Sequence, residues 1–356
     1  MTTKVMILIP YLSGKGGMET VLTALIQDYP VPEGWVLTYG LTQGIQEPAF
    51  LKTQWPAEFK LKKTTTFKPL RQVRGVMQTF KQLQQNQPDI VICMSTRLLK
   101  LAAIWQRLTH RRAKLISWLH FSLADNPAIN QHSLHWAQGH LCISTGIQQQ
   151  FIAAGISAAQ TYLVFNPGPE QQPLQLPALT PQVHFAYIGR ILWQGQKQLH
   201  ILFETLAHLA GDWRLTVVGD GPDLVVAQAF FKRHGLSQKV TFLGWQAQPW
   251  SKLTAIDCLV LTSKYEGFPM VLLEAISRGI PVISSDCPTG PSDIITPANG
   301  RLYDLNDAAA LGQLLQCFVA GTLTFESELV QQTSQQFNAT AFFKRFSRAL
   351  EQIQNS

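Results

Sequence analysis

Two glutamates eight positions apart form the most suggestive group of residues in the sequence. Glu266 and Glu274 lie in the run EGFPMVLLE, which directly follows an apolar, strand-like segment. Pro269 suits the first position of a helix, where its missing N–H needs no partner, and Gly279 suits a helix end. The sequence therefore predicts a helix over about 269–278. Glu266 would lie in the loop before this helix and Glu274 about a turn and a half inside it.

Main-chain amides at this turn would form an anion site. The first N–H groups of a helix have no acceptor within the helix, and such N-termini bind phosphate groups. The turn therefore suits a diphosphate. Glu274 could then accept both hydroxyls of a ribose, and Glu266 could accept hydroxyls of a sugar beyond the phosphates. Two exposed glutamates beside an ordinary helix are the structural alternative. The amides concerned are those of Gly267, Phe268, Met270 and Val271.

Two cations follow another strand-like segment. Arg190 and Lys197 lie in GRILWQGQK, directly after HFAYI. An arginine offers a bidentate fork to a phosphate, and a lysine offers a mobile point charge. This pair could therefore neutralise a pyrophosphate leaving group, although two ordinary surface cations would look the same in sequence.

Several further residues end predicted strands. Gly16 and Gly17 follow the first strand and would let the backbone approach a phosphate, but their surroundings fit neither the dinucleotide fingerprint nor the P-loop. His120 closes the run LISWLH, where it could hydrogen-bond a sugar or an acceptor, or serve as a structural histidine. Residues that could frame a base and a ribose, or form simple turns, are Gly219, Asp220, Gly244 and Trp245.

The sequence contains no Asp-x-Asp triplet and no His/Cys spacing typical of a metal site. We therefore expect arginine, lysine and main-chain amides, and not a metal, to stabilise a leaving diphosphate. No other cofactor is expected.

These candidate residues follow short apolar strands that alternate with helices. This alternation is typical of parallel sheets covered on both faces. The segment 166–181 contains five prolines and resembles a linker. We therefore expect an α/β protein of two doubly wound, Rossmann-like domains, 1–167 and 168–335, facing each other across a cleft. A helix within 336–356 would pack back towards the N-terminal domain. Ligands of such sheets bind at the carboxyl ends of the strands, so the predicted site lies in the cleft.

Composition excludes several classes of protein. The chain has 356 residues, of which 46% are hydrophobic and 14% charged, which suits two globular domains and excludes a disordered chain. We expect no membrane span, because no apolar run approaches about 18 residues, and no signal peptide. The five cysteines form no C-x-x-C pair, which favours buried thiols in a reducing cytoplasm.

Positive charge is concentrated in the N-terminal half. Residues 1–167 hold 16 Lys and Arg against 7 Asp and Glu, a balance of +9, whereas residues 168–356 hold 13 against 15, a balance of −2. A helix predicted over 97–111 would place one apolar stripe among cations, which suits an anionic membrane surface. A core-packed helix with a solvated basic face is equally compatible, and nucleic acid is less favoured because no binding motif accompanies the charge. The stripe comprises Leu98, Leu101, Ala102, Trp105 and Leu108. The cations around it are Arg97, Lys100, Arg107, Arg111 and Arg112, with Lys60, Lys62, Lys63, Lys68, Arg71 and Arg74 upstream.

In these residues the sequence resembles the retaining glycosyltransferases of family 4, which have the GT-B fold. The resemblance covers the whole chain and rests on EGFPMVLLE, the Gly-Arg…Lys pair, GDGP and the early Gly-Gly, in that order. It implies a UDP-sugar donor, no metal, and an acceptor at the inner face of the membrane. One difference is that Arg190 and Lys197 are seven positions apart, where the general family pattern has five.

The resemblance also implies residue roles. Arg190 and Lys197 would bind the diphosphate, Glu274 the ribose and Glu266 the transferred sugar, and His120 would lie near the reacting sugar. Gly16 and Gly17 would approach the phosphates. The expected catalytic residues are therefore Glu266, Arg190, Lys197 and His120. The expected donor-binding residues are Gly16, Gly17, Gly219, Asp220, Gly244, Trp245, Gly267, Phe268, Met270, Val271 and Glu274.

The expected function is transfer of a hexose, galactose before glucose, from a UDP-sugar to a saccharide or glycolipid acceptor. The acceptor would belong to lipopolysaccharide or another cell-envelope polysaccharide. The protein would be cytoplasmic, with peripheral contact to the inner membrane face. A UDP-sugar epimerase and a noncatalytic nucleotide-sugar-binding protein are alternatives. A glycosidase would need no diphosphate cradle, and a nicotinamide dehydrogenase would need the missing glycine fingerprint.

Overall fold

A computed structural model describes residues 2–12, 17–45, 67–124, 129–169, 182–253 and 255–356. Several positions named above lie outside this description. They are Gly16, Lys60, Lys62, Lys63, the side chain of Lys68, and residues 170–181 of the proline-rich segment.

The chain divides into two compact units. The first comprises Met1–Pro167 together with Ala339–Ser356, and the second comprises Gly168–Asn338. The sequence predicts divisions after residues 167 and 335, and the structure places them after residues 167 and 338.

The first unit contains a six-stranded, entirely parallel sheet of order β2-β1-β3-β4-β5-β6. Its strands are β1 (Thr3–Ile9), β2 (Trp35–Leu41), β3 (Ile90–Cys93), β4 (Lys114–Trp118), β5 (Gly139–Cys142) and β6 (Thr161–Leu163). Its helices are α1 (Gly17–Asp28), α2 (Lys68–Asn86), α3 (Thr96–Thr109) and α4 (Thr145–Ala153). The continuous apolar runs of β1 and β3 are buried, as expected for central strands covered on both faces.

Local signals set the ends of α3. The Ser95 hydroxyl accepts a hydrogen bond from the Leu98 N–H, 3.2 Å away, and so caps the N-terminus. His110 adopts a left-handed conformation and ends the helix after Thr109. The predicted helix over 97–111 is therefore too long at its C-terminus, and Arg111 and Arg112 lie beyond it.

The second unit contains a six-stranded parallel sheet of order β12-β11-β10-β7-β8-β9. Its strands are β7 (Val183–Ile188), β8 (Trp213–Val218), β9 (Val240–Gly244), β10 (Cys258–Leu261), β11 (Val282–Ser285) and β12 (Gly300–Tyr303). Its helices are α5 (Leu199–Ala207), α6 (Leu224–Arg233), α7 (Met270–Ile276), α8 (Pro291–Ile294), α9 (Ala308–Val319) and α10 (Ser327–Gln332). The strand order reverses between β7 and β10, which makes the carboxyl ends of these two strands the expected ligand position. Both units therefore have the predicted doubly wound α/β architecture.

The last helix, α11 (Ala339–Asn355), completes the core of the first unit. Phe342 and Phe346 are fully buried and lie beside Trp118, with ring centroids 6.3 and 5.6 Å from it. The Tyr29 hydroxyl lies 2.7 Å from the Ser347 hydroxyl, and Nε of Arg345 donates to the Val164 carbonyl at 2.9 Å.

Two observations bear on the predictions from composition. All five cysteines are described and unpaired, and four of them are buried, but Cys317 is exposed, contrary to the prediction of buried thiols. Across the described ranges, every helix is too short or too polar to cross a membrane.

Candidate functional site

The loops that follow β7 and β8 lie in direct contact at the reversal of strand order. Gly189 N–H donates to the Val218 carbonyl at 2.9 Å, and Gly219 N–H donates to the Gly244 carbonyl at 2.8 Å. Gly219 has φ +140°, and a Cβ atom there would overlap the Gly189 carbonyl oxygen. Only a glycine fits between these loops, so the structure brings Gly219 and Gly244 together at the strand ends as predicted.

Lys197 and Glu266, predicted for separate roles, form an ion pair. Their Nζ and Oε1 atoms are 2.6 Å apart, and the two side chains are only 15% and 11% exposed. Main-chain contacts hold the two loops together. Lys264 N–H donates to the Gln196 carbonyl at 2.7 Å, and the Thr262 hydroxyl donates to the Lys197 carbonyl at 2.8 Å. An incoming anion would therefore meet a lysine already engaged by a carboxylate.

A third loop supports the turn at Glu266. The buried Thr289 hydroxyl donates a short hydrogen bond to the Glu266 carbonyl. Gly290 has φ +98°, and a Cβ atom there would lie 3.1 Å from Cα of Phe268. Burial raises the pKa of the nearby Cys287 thiol to about 12, with a further contribution from the Glu266 carboxylate. This thiol therefore stays protonated at neutral pH and is no nucleophile.

Arg190 offers a free cation in the loop that also contains Lys197. Its side chain is exposed and, within the described part of the chain, has no hydrogen bond or ion pair. The main chain around it is fixed, because the Tyr187 hydroxyl donates to the Arg190 carbonyl at 2.8 Å and Trp193 N–H donates to Asp223 Oδ2 at 2.8 Å. The guanidinium can therefore meet an anion without first breaking another contact.

Helix α7 presents its N-terminus at the same strand ends. It is shorter than the predicted 269–278, because Pro269 takes the N-cap position and Gly279, with φ +75°, follows the last turn. The first amides of α7 have no acceptor within the helix. Pro269 provides no side-chain cap for them either. The side chains of Phe268 and Met270 are buried, so these residues would contribute main-chain atoms, as the sequence predicts.

Glu274 is held by two residues that the sequence did not indicate. Its Oε2 accepts a 2.8 Å hydrogen bond from Trp250 Nε1, and its carbonyl accepts a 2.7 Å bond from Arg278 Nη1. The Arg278 guanidinium lies 4.6 Å from the centre of the Trp250 ring. Burial raises the pKa of the Glu274 carboxyl, and the Trp250 bond and the Arg278 charge oppose this shift.

The remaining donor-site candidates of the second unit lie at strand ends as well. Asp220 and Trp245 are exposed, and each follows a glycine that ends its strand. Asp220 Oδ1 accepts from Gly221 N–H at 2.7 Å, so this carboxylate orders its own loop.

The structure places His120 and Gly17 in the first unit, unlike the residues above. Gly17 begins α1. His120 is 8% exposed, its ring lies 4.7 Å from that of Trp118, and its buried Nε2 atom has no hydrogen-bond partner in the described structure. Burial lowers the pKa of His120 to about 3, so the imidazole is neutral. Asn166, which the sequence did not single out, likewise has a buried and unpartnered Oδ1 atom in the described part of the chain.

The basic residues predicted around α3 are exposed, and apolar side chains accompany them. Leu98, Ala102 and Trp105 of the predicted stripe are buried in the core of the first unit, as the core-packed alternative expects, whereas Leu108 is 70% exposed and lies outside that core. On the neighbouring helix α2, Val73 and Met77 are 59% and 68% exposed. Arg97 Nη2 donates to the Gln72 carbonyl near the start of both helices. The exposed cations are Arg74 and Lys81 on α2, Arg97, Lys100 and Arg107 on α3, and Arg111 and Arg112 after it.

Comparison with known proteins decides the family. The sequence is 34% identical over 349 residues to the lipopolysaccharide 1,6-galactosyltransferase of Salmonella typhimurium, covering 95% of this chain and 96% of that protein. The family model of glycosyl transferases group 1 matches residues 171–335. The chain belongs to the group 1 glycosyltransferases. The Escherichia coli K12 protein of the same name is also 34% identical, with 95% of each chain covered.

Solved structures show the same fold. The apo form of the lipopolysaccharide outer core galactosyltransferase WaaB is 32% identical, with a TM-score of 0.84 over 98% of this chain and 99% of that one. Anabaena HepE in complex with UDP-glucose is 22% identical, with a TM-score of 0.76 over 98% and 99%, and shares the fold. The predicted GT-B fold is confirmed. The segments GGMET, SWLHFSL and LTSKYEGFPM also resemble the lipopolysaccharide core 1,6-galactosyltransferase.

Proposed function

We propose that this group 1 glycosyltransferase is a retaining, family 4 enzyme. It transfers a hexose, galactose in preference to glucose, from a UDP-sugar to a saccharide or glycolipid acceptor of lipopolysaccharide or another cell-envelope polysaccharide. The observation that carries the proposal is the largely buried Lys197–Glu266 pair at the reversal of strand order, where the loop that contains Lys197 also contains the exposed Arg190. The names of the relatives support the galactosyl group, and HepE, crystallised with UDP-glucose, supports the donor class.

Each part of the donor meets a different part of the site. Arg190 and Lys197 bind the diphosphate, together with the amides at the start of α7. Glu274 accepts the ribose hydroxyls, and Glu266 accepts hydroxyls of the transferred sugar while it holds Lys197. The loops that end β8 and β9 frame the ribose and the base through Gly219, Asp220, Gly244 and Trp245. The family resemblance further assigns Gly16 and Gly17 to the phosphates and His120 to the reacting sugar.

Transfer proceeds with retention at the anomeric carbon. The bond from this carbon to the β-phosphate oxygen breaks, and the acceptor hydroxyl forms its bond from the same face. The leaving phosphate oxygen takes the acceptor's proton and departs as UDP. Positioning and charge stabilisation by Arg190 and Lys197 supply the catalysis. The Cys287 thiol, which interacts with the Glu266 charge, stays protonated at neutral pH and supplies no thiolate nucleophile.

A UDP-release assay with a panel of UDP-hexoses and lipid-extract acceptors tests the proposal. We expect release from UDP-galactose or UDP-glucose that rises when one glycolipid is added and is unchanged by EDTA. Loss of activity with EDTA would refute only the expected metal independence and not the transfer reaction. Interconversion of the donor sugar without acceptor would indicate an epimerase, and donor binding without turnover across the acceptor panel would indicate a binding protein. Failure to bind any UDP-sugar would refute the assignment of a UDP-sugar as the donor.

We further propose that the exposed α2–α3 face contacts an anionic membrane at the cytoplasmic side of the inner membrane. The two helices together contain no Asp or Glu, so no carboxylate within either helix offsets their surface cations. The apolar side chains of Val73, Met77 and Leu108 project among these cations. A surface of this composition suits lipid headgroups through its charges and the acyl boundary through its apolar groups.

Co-sedimentation with phosphatidylglycerol-containing vesicles tests this contact. Charge reversal at Arg107, Arg111 and Arg112 should abolish binding, and polar replacement by Val73→Gln and Met77→Gln should weaken it even at low salt. Charge reversal at the exposed Lys232 and Arg233 of α6 is the matched control and should have no effect. Unchanged binding by the triple variant would refute the proposal.

A further inference from the structure

Glu274 belongs to a closed set of contacts with Trp250 and Arg278. The indole N–H holds Oε2 of the carboxylate at 2.8 Å, and the arginine both stacks on the indole at 4.6 Å and donates to the Glu274 carbonyl at 2.7 Å. Trp250 lies in a short 3-10 turn, Pro249–Lys252, that precedes β10, whereas the other two residues lie on and just after α7. The Trp250 side chain therefore contacts both the Glu274 carboxylate and the Arg278 guanidinium, and it links the turn to α7.

The two carboxylate oxygens of Glu274 differ in their hydrogen bonds. A free carboxylate accepts hydrogen bonds at both oxygens and rotates to suit its partners. Here the fixed indole N–H occupies Oε2 and sets the plane of the carboxylate. Within the described part of the chain, Oε1 has no protein donor. A ligand with two adjacent hydroxyls would therefore meet one oxygen that is already oriented.

We propose that Trp250 and Arg278 are positioning residues for the donor's ribose, holding Glu274 so that Oε1 meets the vicinal 2′ and 3′ hydroxyls. The inference rests on the proposed function, because it takes the nucleotide to be a uridine diphosphate. Both residues would act on the ribose through Glu274. Arg278 holds the indole in place by stacking, and it supplies the positive charge nearest to the buried carboxylate.

Calorimetric titration of the full-length protein with UDP, 2′-deoxy-UDP and 3′-deoxy-UDP tests this inference. The wild type should bind UDP at least about tenfold more tightly than either deoxy analogue, because a buried acceptor loses its partner with the analogue. Trp250→Phe keeps an aromatic ring at this position but removes the indole N–H. It should bind UDP about tenfold more weakly and should discriminate against the analogues by no more than about twofold.

Trp213→Phe is a matched control in the same unit. Trp213 is also buried, its Nε1 donates to the Leu209 carbonyl at 3.2 Å, and Lys239 lies 4.7 Å from its ring, but it begins β8 at the amino end of the sheet. This variant loses a similar hydrogen bond and should keep the wild-type discrimination. A general loss of packing would lower the affinities of UDP and its analogues equally, whereas loss of positioning lowers the UDP affinity selectively.

Arg278→Met provides an independent test if Trp250→Phe does not fold. It removes the stacking cation and should reduce the discrimination in the same direction. Wild-type discrimination in whichever of the two variants folds would overturn the inference, as would equal binding of UDP and its analogues by the wild type. A wild type that binds neither UDP nor a UDP-sugar would instead refute the proposed function.

Discussion

At the scale of single residues, the ion pair between Lys197 and Glu266 makes the stability of the protein depend on both charges together. Lys197→Ala would leave a mostly buried carboxylate without its partner, which costs about 3 kcal/mol or more of stability. The double variant Lys197→Ala/Glu266→Gln removes both charges and should recover most of that stability. It should not recover UDP affinity, because the diphosphate has still lost a cation.

Urea unfolding and calorimetry on the two single variants and the double variant separate these effects. Glu266→Gln alone should bind UDP at least as tightly as the wild type, since Lys197 no longer has a competing anion. Its turnover should fall, since Glu266 also holds the transferred sugar. If the double variant regained UDP affinity together with stability, Lys197 would have only a structural role.

His120 should make the protein sensitive to mild acid. Its pKa is lowered from 6.5 to about 3 in the folded protein, so the unfolded chain alone gains a proton as the pH falls below about 6.5. Between pH 7 and pH 5 this difference removes about 2 kcal/mol of stability. His120→Gln should lose correspondingly less over the same interval when urea unfolding is measured at both pH values. The same loss in variant and wild type would contradict the burial of a neutral imidazole.

At the scale of elements, the contact between the loops after β7 and β8 depends on the absence of a side chain. Gly219→Ala would place a methyl group on the Gly189 carbonyl and should cost at least about 3 kcal/mol, with loss of UDP binding. Gly235→Ala is the matched control, because Gly235 also has a positive φ, +68°, but a Cβ atom there would have no neighbour within 4 Å. It should cost only about 1 kcal/mol, the strain of the backbone alone. Equal urea midpoints for the two variants would show that the loops can separate freely.

The elements also show how far the sequence predicts this protein. The strands Val183–Ile188 and Cys258–Leu261 lie where the sequence predicts strands, before the segments that contain Arg190 and Glu266, because both consist mainly of apolar residues. The strands β2 and β12 each lie at one edge of their sheet and are only partly buried. Such strands lack the continuous apolar run that marks a central strand.

Periodicity predicts which residues share a helix face, but not how far the core covers that face. Leu108 lies at the edge of the apolar stripe of α3 and near the helix end, so it is exposed beside the cations. The sequence predicts which loops form the candidate site, because the carboxyl ends of parallel strands lie at the same edge of a sheet. The Lys197–Glu266 and Trp250–Glu274 contacts were not predictable, because they depend on side-chain distances across 69 and 24 residues of chain.

At the scale of the whole molecule, the chain leaves the first unit and returns to it. Helix α11 follows the second unit in sequence but buries its apolar face in the first, through residues that include Phe342, Phe346, Leu350 and Ile353. Removing even one large buried aromatic side chain costs about 3–5 kcal/mol. The first unit therefore depends on a helix that the chain reaches only after the whole second unit.

In a chain that ends at Asn338, the two units should consequently unfold at different temperatures. Its first unit should unfold at least about 10 °C below the wild type, since several buried side chains are lost together. The second unit keeps its own sheet and all the donor-site residues placed there, so UDP should still protect it against heat. A chain ending at Ile353, which loses only three exposed residues, is the matched control and should melt like the wild type. Differential scanning calorimetry with and without UDP distinguishes these outcomes, and a truncated chain that melts in one wild-type transition would show that α11 is dispensable to the first unit.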